Sequence, residues 1–89
     1  MNTKDEVIAL YERIVLGEIR AFPLGFWTGE AGKKHAAILT RYLLQKTGTK
    51  PTEVTKKTFQ RNKLSSLLHL FNDSTYDVIE NAFSGIYKP

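Results

Sequence analysis

The sequence predicts an all-α fold, a compact bundle of four or five short helices that contains a helix-turn-helix-like unit. Three observations carry this. Large apolar residues recur at i, i+3, i+4 and i+7 in one segment after another. Capping and terminating residues bracket those segments. No alternating apolar–polar run has a hairpin turn beside it. With 89 residues the chain reads as a single helical domain, residues 1–89, without repeat, linker or low-complexity segment.

Each element follows in order. Thr3-x-x-Glu6 is a capping-box pattern, and Val7, Leu10, Tyr11, Ile14 and Val15 keep helical spacing after it. The first helix is therefore expected over residues 4–19, weakened by Gly17 in its last turn. "RAFPLGFWTGEAG", residues 20–32, holds three glycines and a proline and breaks regular structure. Its Phe22, Leu24, Phe26 and Trp27 are too apolar for a free loop and read as a lid packed on the core. Exposed together, they would make an adhesive patch. The second helix begins at Gly29 or Glu30 and ends before Gly48, a C-cap residue preceded by Lys46.

Thr52 is the expected N-cap of a short polar helix over residues 53–60, anchored by Val54 and Phe59. Asn62 is the expected cap of a fourth helix over residues 63–71. Ser74 caps a fifth, with Tyr76, Ile79, Ala82 and Phe83 as its buried side and Gly85 at its end.

Composition excludes several classes. The chain has no cysteine, so neither a disulfide framework nor a thiolate metal site is available. The longest strongly apolar runs are four or five residues, as in "AAIL", whereas a membrane span needs about 20. Asp5, Glu6 and Glu12 stand where a signal peptide would be apolar. A cytoplasmic protein without membrane contact is expected. His35 and His69 lack partners at any familiar catalytic or metal spacing, and no phosphate loop occurs. The expectation is no enzyme activity, no cofactor, no metal and no small-molecule substrate.

Charge placement is more telling. Residues 33–63 hold nine basic residues and one acid, Glu53, while the remainder holds four basic residues and eight acids. A basic middle between acidic ends favours a polyanion at the middle. In the fourth helix, Leu64, Leu67, Leu68 and Phe71 form an apolar face. Asn62, Ser65, Ser66 and His69 form a small, uncharged, hydrogen-bonding face opposite. Two short helices joined by "RNK" match a helix-turn-helix arrangement, whose second helix presents its N-terminal residues to base edges. Asn62, Lys63, Ser65, Ser66 and His69 are the candidate reading residues. Lys56, Lys57 and Arg61 are candidate backbone grips, with Lys33, Lys34 and Arg41 more peripheral. A merely solvated helix can carry the same polar residues; the flanking cations favour DNA as the partner. The alternative is a protein-interaction module or small inhibitor that docks on a host protein, or on another copy, through residues 22–27.

"FPLGFW", "AAILTRYLLQK" and "FQRNKLSSLLHLFNDSTYDVIENAFSGIYKP" together resemble a family of uncharacterised small domains from Gram-positive bacteria and their phages. That family shows a Phe-Pro-Gly-Trp loop, an Arg-Tyr-Leu helix and a closing Asn-Lys-Leu block. The closing block is also similar to helix-turn-helix repeats associated with homing endonucleases, at Leu64 to Phe71, Ser74 and Tyr76. The sequence departs at "NAFSG", where the family tends to have Tyr-Pro-Gly. The resemblance implies a DNA-binding, regulatory role, often beside mobile-element genes.

Overall fold

A computed structural model of the chain describes residues 3–83. Among them are five α-helices and no strand. They are α1 (Thr3–Val15), α2 (Gly29–Thr47), α3 (Lys56–Arg61), α4 (Ser65–Leu70) and α5 (Thr75–Ala82), with a 3-10 turn at Pro51–Glu53. This is the expected all-α bundle. None of these helices is long and apolar enough to cross a membrane.

The longest helix, α2, is the centre, and α1 and α5 both pack on it. Its buried Ala36, Leu39 and Leu43 meet Val7 and Tyr11 of α1, Phe59 of α3, Leu67 and Leu68 of α4 and Val78 of α5 in one cluster. Each fully buried side chain of leucine size stabilises the fold by roughly 1.5–3 kcal/mol. Tyr11 is fully buried, and its hydroxyl donates to the carbonyl of Asn62 at 2.9 Å. That bond ties α1 to the turn between α3 and α4.

Helix ends depart from expectation for one recurring reason, a left-handed residue. The first helix ends at Val15 rather than near residue 19. Gly17 takes φ +81°, its N–H donates to Ile14 O at 3.1 Å, and Glu18 N–H donates to Arg13 O at 2.9 Å. This is a Schellman closure, which needs the left-handed conformation glycine adopts freely. The same pair of bonds closes α3, from Lys63 N–H to Gln60 O and from Leu64 N–H to Phe59 O. The left-handed residue there is Lys63, at φ 62°. Lys63 therefore cannot begin the fourth helix, which starts at Ser65. Asn62 does not cap it either: its side-chain amide donates back to Thr58 O at 2.7 Å and closes α3 instead. Asn72 ends α4 in the same way, so that helix stops at Leu70.

The third helix also starts later than expected. Thr52 falls inside the 3-10 turn, and Val54 is extended, which lets its half-buried side chain pack on the core. The helix restarts after Thr55, whose N–H donates to Thr58 Oγ1 at 3.3 Å. Ser74 caps α5 as expected, accepting from Asp77 N–H. The buried side of α5 is Val78, Ile79 and Ala82, while Tyr76 is 51% exposed and Phe83 half-buried. The α2 contacts set this rotation: Arg41 Nε donates to Ala82 O at 2.8 Å, and Asn81 Nδ2 to Lys33 O at 2.9 Å. The expected stop at Gly85 lies outside the described residues.

The aromatic loop packs down with three of its four large residues. Phe22 stacks on Phe26, Phe26 stacks on His35, and Trp27 meets both phenylalanines edge-on. His35 Nδ1–H donates to Phe26 O at 2.8 Å. Gly32 lets the loop close on α2, because a Cβ there would overlap the Trp27 carbonyl group. Leu24 is left fully exposed.

Two stability outcomes follow from this packing. Burial, with smaller contributions from Glu12 and Tyr42, pushes the Tyr11 hydroxyl up from its ordinary value of 10 to about 12. The stability linked to neutral Tyr11 is thus complete below about pH 10 and is lost as pH rises through about 12. Tyr11→Phe should cost about 1–2 kcal/mol at neutral pH, and should flatten the decline of stability between pH 10 and pH 12 followed by urea unfolding. Thr40 is fully buried, and its hydroxyl has no hydrogen-bond partner among the described residues. Thr40→Val should therefore raise unfolding free energy by about 1 kcal/mol, read from the urea midpoint.

Candidate nucleic-acid interface and adjoining groove

The sequence of residues 54–72 contains no acid, and it folds as α3, a three-residue turn and α4, the two helices packed on each other. Phe59 anchors α3 to the core, which turns Lys57 and Arg61 to the opposite side of that helix. Lys56, Lys57, Arg61 and Lys63 are all exposed. Among the described residues none of the four is paired with a carboxylate.

The face of α4 is divided. Ser65 is exposed, Ser66 is half-buried, and His69 is exposed with its Nδ1 3.4 Å from Asp73 Oδ1. The carboxylate of Asp73 thus stands at the far end of the stripe. Asn62 is tied into the turn: its side-chain Nδ2 donates to Thr58 O, and its backbone carbonyl accepts from Tyr11.

The peripheral basic residues lie elsewhere. Arg41 and the backbone of Lys33 hold the C-terminal end of α5, which places them on the α5 side of α2. Lys34 is exposed on the first turns of α2. Among the described residues no group of three or more His, Asp or Glu is placed to hold a metal ion.

Ser66 is half-buried because it faces a groove. The groove runs between the end of α1 with residues 17–22 on one side and the α3–α4 turn on the other, with a volume of about 700 Å³. Ile14, Ile19, Phe22 and Trp27 line one wall, and Gln60, Lys63, Ser65 and Ser66 the other, with Arg20 at the rim segment. Sequence reasoning singled out neither Arg20 nor Gln60. The usable signal was the glycine-rich segment itself, since a chain that leaves its helix at Gly17 must run back over the domain.

No curated protein and no solved structure matches this chain. The family model described as "Protein of unknown function (DUF4046)" matches residues 7–88, nearly the whole length, and the chain belongs to that family.

Proposed function

We propose that this domain binds duplex DNA through the α3–α4 unit, as a non-catalytic regulatory module acting in the cytoplasm. One observation carries the reading: four exposed cations, Lys56, Lys57, Arg61 and Lys63, cluster on an acid-free stretch and have no carboxylate partner among the described residues. Cations not already engaged can neutralise phosphates without first breaking an ion pair.

The conformation of Lys63 adds weight. The corresponding closing residues of α1, α2 and α4 are Gly17, Gly48 and Asn72, the residue types that adopt left-handed backbone most readily. At the end of α3 the same conformation is imposed on a lysine, against a steric cost of about 1–2 kcal/mol. A charge at a strained position, beside the first turn of α4, favours a contact role. On this reading Lys56, Lys57, Arg61 and Lys63 grip the backbone, with Lys34 peripheral. Ser65 and His69 are the outward polar groups of α4, His69 beside Asp73, while Asn62 and Ser66 support from behind. The resemblance to small domains of Gram-positive bacteria and their phages supports a phage or prophage setting. The rival docking role for residues 22–27 has Leu24 as its one fully exposed large side chain.

Fluorescence anisotropy of a labelled short duplex, titrated at several salt concentrations, tests the reading. Log affinity should fall linearly with log salt, and Lys57→Ala and Arg61→Ala should each weaken binding to every sequence alike while reducing the slope by about 0.9. Absence of any complex at micromolar protein in low salt would overturn it. Lys63→Gly separates the two roles of that residue: stability should rise by up to about 1 kcal/mol as the strain is relieved, while DNA affinity falls.

A further inference from the structure

The groove beside α4 has a chemistry of its own. Its volume, about 700 Å³, lies within the range of roughly 300–1,000 Å³ in which small-molecule sites fall. It is too small a recess for a duplex. Ile14, Ile19, Phe22 and Trp27 supply its large apolar side chains. Gln60, Ser65 and Ser66 supply neutral hydrogen-bonding groups across from it. Two cations complete the lining, Arg20 from the segment after α1 and Lys63 from the α3–α4 turn, and among the described residues no carboxylate lines it. A simple anion would leave the apolar wall unused, and a neutral apolar molecule would leave two cations without a partner. The occupant that uses both has an apolar body and an anionic head.

We propose that this groove binds a small apolar carboxylate. Arg20 and Lys63 hold the head group from opposite walls, and the body lies against Ile14, Ile19, Phe22 and Trp27. The site is distinct from the DNA reading and shares with it Lys63, Ser65 and Ser66.

Trp27 is the one tryptophan of the chain, so its emission reports on the groove directly. Octanoate is the probe, octanamide its neutral match, and circular dichroism monitors the fold of the full chain. Octanoate should shift Trp27 emission saturably, with octanamide at least tenfold weaker. Arg20→Gln combined with Lys63→Gln should weaken octanoate at least tenfold with the helical signal unchanged. Lys57→Gln, which lies outside the groove, should leave octanoate binding unchanged while weakening DNA, so the two readings fail separately. A non-saturating response, equal responses to acid and amide, or equal losses in Lys57→Gln and the groove variant would each overturn the proposal. Should the double variant lose its helical signal, Arg20→Gln alone decides: unchanged octanoate affinity in it overturns the proposal.

Discussion

The hydrogen bond from the Tyr11 hydroxyl to the Asn62 carbonyl joins residues 51 positions apart, and much of the architecture depends on it. A carbonyl at the end of a short helix has no intrahelical partner, and burying one without a donor is costly. The tyrosine brings that donor through the core from α1. It can do so because its ring is wholly enclosed, resting edge-on against Tyr42 at 6.0 Å between centroids. Tyr42 in turn donates to Glu12, which also lies near Lys46. Apolar packing and a small polar relay thus hold α1 and α2 together and fix where the α3–α4 turn sits.

Once that turn is pinned, two surfaces arise from one piece of chain. Outward, α3 and the turn expose four cations. Inward, the first residues of α4 face the segment that follows α1 and form one wall of the groove. Lys63 belongs to both surfaces. Its left-handed backbone reverses the chain between α3 and α4 and brings Leu64 into the core, fully buried. The proposed DNA contact and the proposed carboxylate site therefore meet at one residue whose conformation the closure of α3 dictates.

The aromatic loop supports this arrangement from the other side. Phe22, Phe26, Trp27 and His35 form a stacked group on the core, held by the His35–Phe26 hydrogen bond and admitted by the missing side chain at Gly32. His35 is thereby a structural residue. Its ring extends the aromatic stack, and its nitrogen satisfies a loop carbonyl. Its Phe22 and Trp27 also line the groove, and of its large side chains only Leu24 is fully exposed.

What the sequence determined by itself was local. The five helices, the span of α2 up to Gly48, the Ser74 cap of α5 and the existence of a short turn between α3 and α4 were legible, because capping and helical spacing act over three or four residues. The concentration of cations in residues 33–63 was legible too, since charge is read directly from composition. Only the tertiary structure decided the rest. Asn62 closes α3 instead of opening α4: its side chain bonds back to Thr58, and the turn that holds it is fixed by a tyrosine from α1. Ser66 faces a groove whose other wall comes from a segment 45 residues earlier, at Ala21. Arg41 serves α5 rather than the α3 surface, and Tyr76 turns outward because Arg41 and Asn81 set the rotation of that helix. In each case the deciding partner is distant in the chain, and helical periodicity marks which residues share a face but not what lies against it.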